Sequence, residues 1–152
     1  MVHWLLVIAY AVSMFVFAGQ QDSSAAATAQ LLARWLPHFG KAEIQQLVFW
    51  IRKLGHVAAY GVLTLLVFNA VRVTSGLKRR ALPLAVLSAF IVAVVDEAYQ
   101  MRLPHRTGTW SDVLIDGIGI GLAAGCLHYW MVGRDKRISE EHIREDKEGP
   151  EC

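Results

Sequence analysis

Cysteine is nearly absent from this chain. Of the two, Cys126 lies inside an apolar run and Cys152 is the last residue. Neither their spacing nor their context supports a disulfide or a thiolate metal site, and Cys126 reads as a small packing residue. Proline is scarce too, four in all: Pro37 ends one apolar stretch, Pro83 opens another, Pro104 sits between two, and Pro150 lies in the charged tail. Charge of one sign is also lacking. Fifteen Lys and Arg against thirteen Asp and Glu leave a net +2, with no basic face interleaved with aromatics, so nucleic acid is not an expected partner. A Gly-rich phosphate loop and a GxSxG elbow are both missing, which leaves nucleotide hydrolysis and serine-hydrolase chemistry unsupported. Histidine and carboxylates together could hold a divalent metal, but no HxxxH or HExxH pattern announces one, so neither a metal nor a cofactor is expected.

Long apolar runs are what the chain has in abundance. Apolar residues make up 55% of it, and the mean hydropathy of +0.37 exceeds that of an average soluble domain. The runs cover residues 2–18, 54–71, 81–100 and 113–132, each near the length needed to cross a bilayer. A cleaved signal peptide is the rival reading of the first, but no Lys or Arg precedes it and Ala18-Gly19-Gln20 is a poor cleavage site. Between the first two runs, Asp22-Ser23-Ser24 signals a helix start before Ala25–Leu36. Lys41–Ile51 then carries Ile44, Leu47, Val48 and Ile51 at helical spacing, as in a helix on the membrane surface or one packed over the bundle. In the last run Gly117, Gly121 and Gly125 recur every four residues, the spacing of a close helix–helix seam. The expected fold is all-α, a polytopic membrane protein whose four transmembrane helices form a bundle, with an interfacial helical segment between the first and second spans. Residues 1–132 are the membrane domain, and 133–152 read as a charged, partly disordered tail.

Four spans place the N-terminus, the loop after the second span and the tail on one side. That side carries Arg72, Lys78, Arg79, Arg80, Arg134, Lys136, Arg137, Arg144 and Lys147. The other carries Arg34, Lys41, Arg52, Lys53, Arg102 and Arg106 over longer loops. The bias favours cytoplasmic termini. Trp4, Trp50, Trp110, Tyr129 and Trp130 fall near span ends, where an aromatic belt belongs.

The same topology gathers the polar residues. His56 and Tyr60 begin the second span, Asp96, Glu97 and Gln100 end the third, and Asp112 and Asp116 begin the fourth, all at the extracytoplasmic end. Lys53, His56 and Tyr60 share one helical face, as do Asp96 with Gln100, and Asp112 with Asp116 and Gly119. In lipid such groups must satisfy one another. His56 with Asp96 or Glu97 would form an acid–base pair, the catalytic candidates, because a carboxylate orients imidazole. Arg52, Lys53 and Arg106 would contact an anion. Tyr60, Gln100, Asp112 and Asp116 would complete the binding set. The alternatives are a non-catalytic membrane factor, or a structural protein whose polar network only clips three helices together. A transporter is disfavoured, since Asn69 alone is strongly polar within a span and lies near its end.

At these positions the chain resembles the VanZ-like family of small bacterial membrane proteins. The matching elements are Arg52-Lys53-x-x-His56-x-x-x-Tyr60, Asp96-Glu97-x-x-Gln100, Pro104-x-Arg106 and Asp112-Val113-x-x-Asp116-x-x-Gly119, in family order over roughly Arg52–Gly125. Asp116 stands where many relatives have Asn, and Ala59 where some have Glu. The resemblance implies a multi-pass protein of the bacterial inner (plasma) membrane and a link to the cell envelope, since the founding member is associated with low-level resistance to the glycopeptide teicoplanin. The expected partners are therefore membrane lipid together with a lipid-linked envelope precursor or a glycopeptide.

Overall fold

A computed structural model describes residues 1–21, 24–74, 76–104 and 109–147. Five α-helices follow one another: α1 (Val2–Gly19), α2 (Ala25–Trp35), α3 (Lys41–Val73), α4 (Ala81–Gln100) and α5 (Trp110–Lys147), with one 3₁₀ turn, Lys78–Arg80, before α4. Four of them (α1, α3, α4 and α5) are long and apolar enough to cross a membrane. Their outward faces are studded with large apolar side chains, among them Leu5, Leu65, Leu87, Phe90, Ile91, Leu114 and Leu122. Such a surface is stable only where the surroundings are hydrocarbon.

Local signals explain the ends. Ser24 caps α2 by accepting the amide of Ala27 at 3.1 Å. The Glu43 carboxylate accepts the Gly40 amide at 2.7 Å and starts α3. Gly76, at φ +79°, takes the left-handed conformation in the turn that reverses the chain between α3 and α4.

One expectation meets a different outcome here. The segment Lys41–Ile51 is not a separate interfacial helix: it runs without a break into the second span, giving one helix of 33 residues, about 50 Å at 1.5 Å per residue. Arg52-Lys53 ends the apolar run but contains nothing that ends a helix. The piece that does stand apart is α2, which packs against the extended start of α3. The charged segment after residue 132 is helical as far as Lys147. Gly133 alone does not stop it, and Arg137 with Glu141 and Glu140 with Arg144 stand at the i,i+4 spacing that supports a solvated helix.

The core lies between α3, α4 and α5. Ala81, Ala85, Ala89 and Ala93 of α4 are all at most 1% exposed and pack with Tyr60, Leu63, Val67, Phe68 and Val71 of α3. These alanines form one i±4 row, and the next position in that row is Glu97. The small-residue row therefore turns Glu97 inward at the end of α4. The glycine seam expected on α5 is not where the spacing put it. A Cβ on Gly117, Gly121 or Gly125 would meet nothing within 4 Å. Gly119 is the close point instead: a Cβ there would run into the backbone of Val57, while Gly61 faces the Gly119 carbonyl. Helices α3 and α5 thus cross in near backbone contact, one turn from both His56 and Asp116. Cys126, expected to be a packing residue, is exposed on the outer face of α5.

Candidate functional site

The site lies where α3 enters the bundle, α4 ends and α5 begins. On α3, the spacing of Lys53, His56 and Tyr60 sends all of them to the α4–α5 side. The Tyr60 hydroxyl donates to Asp96 Oδ2 at 2.9 Å, and Gln100 Nε2 donates to the same oxygen at 2.9 Å. The i,i+4 spacing of Asp96 and Gln100 lets one helix supply both the acceptor and its second donor. Tyr60 is 1% exposed and Asp96 4%, so this is a dry network.

His56 is bonded elsewhere than expected. Its Nδ1 lies 2.9 Å from Asp116 Oδ1 and 3.9 Å from Glu97 Oε1. Asp96, one of its two expected acid–base partners, is engaged instead by Tyr60 and Gln100. Asp116, expected to serve ligand binding, is the carboxylate that orients the imidazole. The swap follows from the crossing at Gly119, which brings α5 against α3 at the level of His56. Glu97 is completely buried and accepts the backbone amide of Thr109 at 3.1 Å through Oε2. Sequence reasoning passed over Thr109, because a backbone donor leaves no mark in residue type. Lys53 pairs with Asp112 at the rim, where both are partly buried.

Each of the buried carboxylates Asp96, Glu97 and Asp116 has one oxygen engaged and one with no hydrogen-bond partner among the described residues: Asp96 Oδ1, Glu97 Oε1 and Asp116 Oδ2. A buried acceptor left unpaired costs about 1–3 kcal/mol, more when it is charged. The cluster is therefore held in an arrangement that favours an additional positive group.

Two cavities open beside it. The first, about 280 Å³, has apolar walls from Met14, Phe17 and Ala18 of α1 and Ile51 of α3, and reaches Tyr60, Asp96 and Gln100. The second, about 550 Å³, lies toward α2 and reaches Lys53, Thr109 and Asp112. Arg52 and His56 line both. Helix α1 closes the first cavity from the side: the Tyr10 hydroxyl donates to the Ala59 carbonyl at 3.2 Å, and Phe15 meets Tyr99 edge-on at 5.9 Å between centroids.

Of the residues singled out from sequence, Arg52, Lys53, His56, Tyr60, Asp96, Glu97, Gln100, Asp112 and Asp116 converge here. Arg102 is exposed at the end of α4. Arg106 and His105 lie outside the described residues. Gly119 and Gly61 contribute by permitting the approach, and Gly119 already shares a helical face with Asp112 and Asp116 in the sequence pattern.

No curated protein and no solved structure matches the chain significantly. The family model described as VanZ/LLP1 matches residues 2–132, a stretch that contains the first three spans, most of the fourth and every described member of the site. The chain is a multi-pass membrane protein belonging to the VanZ/LLP1 family.

Proposed function

We propose that this protein binds an anionic, lipid-anchored ligand of the cell envelope at the end of the bundle formed by His56, Asp96, Glu97 and Asp116. The observation that carries the reading is the pair of cavities joined at Arg52 and His56. One has walls suited to a hydrocarbon chain and the other walls suited to a polar head. An amphiphile lying across the join places its anionic group beside the Arg52 guanidinium, a permanent charge with fork geometry. The His56 imidazole, held through Nδ1 by Asp116, offers its other ring nitrogen to that group. This pair is where proton transfer on the bound ligand would occur.

The excess of Lys and Arg at the opposite end of the bundle supports an orientation with both termini cytoplasmic in a bacterial inner membrane, so that the site faces outward. A ligand drawn from the outer leaflet, such as a lipid-linked envelope precursor, fits that placement. So does a role in teicoplanin resistance exercised through the envelope target.

Native mass spectrometry of protein extracted in lipid nanodiscs tests the reading. The wild type should retain an anionic lipid that Arg52→Ala loses and that a surface variant such as Leu122→Ala keeps. Equal retention by all of them overturns the proposal. Cysteines placed at Ser111 and at Lys78, in a background lacking the native ones, test orientation: an impermeant maleimide should label the first and spare the second in intact cells.

A second reading has its own support. The Tyr60–Asp96–Gln100 network is buried and joins α3 to α4, as a helix clip would. Under that reading His56→Ala retains every activity of the protein, and replacing Tyr60 or Asp96 abolishes its accumulation.

A further inference from the structure

We infer that His56, Glu97 and Asp116 form a binding site for one divalent metal ion. One donor atom from each of the three lies within 4.8 Å of the others. Two of those separations are 2.9 Å, from His56 Nδ1 to Asp116 Oδ1, and 3.9 Å, from His56 Nδ1 to Glu97 Oε1. Donors bound at about 2.0–2.2 Å stand roughly 3.0–3.5 Å apart around one ion. The cluster is within small side-chain adjustments of that spacing.

Three further observations point to a cation. Glu97 and Asp116 are both completely buried, and each aims one oxygen, Oε1 and Oδ2, at no partner among the described residues. Lys53, a cationic side chain at the rim, is taken up by Asp112. The opposite oxygen of Glu97 is already fixed by the Thr109 amide, the kind of outer contact that orients a metal-ligating carboxylate. Together these make a preformed set of one imidazole and two carboxylates, supplied by three different helices. Such a mixed nitrogen and oxygen set suits a metal of intermediate hardness, Mn²⁺, Fe²⁺ or Zn²⁺, better than Ca²⁺ or Cu⁺. His56 lines both cavities, so the remaining coordination positions face space that a ligand or water can enter.

The site departs from the expectation that no metal binds, and the reason is topological. Its ligands stand at positions 56, 97 and 116, each contributed singly, so no local motif exists to be found. It also stands independently of the anionic ligand proposed above. Loss of lipid retention with metal binding intact would overturn only that reading, and the converse only this one.

Mn²⁺ titration of the EDTA-treated protein in detergent, following the free aqua ion by electron paramagnetic resonance, provides the test. The wild type and the remote control Glu140→Gln should bind one ion per chain. The near-isosteric variants Glu97→Gln and Asp116→Asn should bind at least about tenfold more weakly. X-ray absorption of the Mn-loaded wild type should show scattering from one imidazole, a readout that holds even where a variant fails to fold. No saturable binding, unchanged affinity in both variants, or an all-oxygen shell overturns the proposal.

Discussion

Replacing Gly119 by alanine tests the crossing that creates the site. The added Cβ would press on the carbonyl oxygen, the carbonyl carbon and the Cα of Val57. All of these are backbone atoms of α3, so no rotamer change relieves the overlap. Restoring ordinary contact requires α3 and α5 to part by on the order of 1 Å. The bond between His56 and Asp116 spans this same interface at 2.9 Å. A separation of that size carries it beyond the ~3.5 Å reach of a hydrogen bond. Overpacking a close contact costs about 1–3 kcal/mol, and the better helix propensity of alanine returns at most about 1 kcal/mol. The expected result is a net loss of stability together with the loss of whatever His56 does. The assay is unfolding by SDS titration in mixed micelles, followed by circular dichroism. Gly121→Ala and Gly125→Ala serve as comparisons, since neither new methyl group meets anything within 4 Å. If Gly119→Ala unfolds at the wild-type midpoint, or Gly121→Ala loses as much, the account of the α3–α5 interface is wrong.

Other substitutions probe the parts separately. Tyr60→Phe removes one of the two donors to Asp96 Oδ2 and should cost about 1–3 kcal/mol in the same titration, because Asp96 is too buried to recruit water. Wild-type stability there would refute the dry network. For the pair at the rim, Lys53→Met and Asp112→Asn should each destabilise, while the double substitution recovers most of the loss, as when a buried pair is replaced whole. Additive losses would show that the two do not interact. At the opposite end of the bundle, Trp130 lies 4.8 Å from the Arg72 guanidinium and 4.9 Å from that of Arg134. A double-mutant cycle between Arg72 and Trp130 should give a coupling of about 0.5–1 kcal/mol, and a value near zero would deny the contact.

The convergence of polar groups was legible in the sequence because it depends only on topology. Alternating spans put the start of the second, the end of the third and the start of the fourth at one face, whatever the details of packing. Partner choice within the cluster was not legible. Whether His56 meets Asp96, Glu97 or Asp116 depends on the rotation of α4 and α5 about their axes, and adjacent residues on a helix differ by about 100°. The alanine row ending in Glu97 and the single glycine at position 119 set those rotations. The row was visible as a four-residue period, but the glycine was masked by a stronger pattern of the wrong register. Gly117, Gly121 and Gly125 announce a face without side chains, yet glycine is common in membrane helices and such a face need not be covered. Helix continuity was obscured for a related reason. Arg52-Lys53 and Gly133-Arg134 end hydrophobic runs, and hydrophobicity marks where lipid stops, not where hydrogen bonding between turns stops.

The distribution of satisfied and unsatisfied atoms argues against a purely structural network. A cluster whose only task is to join helices gains most when every buried acceptor is paired. The rim pair of Lys53 and Asp112 meets that description. The three carboxylates behind it do not, since each retains one oxygen with no hydrogen-bond partner among the described residues, in a place that water reaches poorly. Replacing any of them by an apolar residue of similar volume would have joined the same helices at lower cost. The penalty falls on acidic side chains grouped near His56, which together with Arg52 lines both cavities. It is the arrangement expected where the missing partner is a bound cation or ligand, and the metal titration and the Gly119 substitution approach that point from opposite sides, one by supplying the partner and the other by pulling its cage apart.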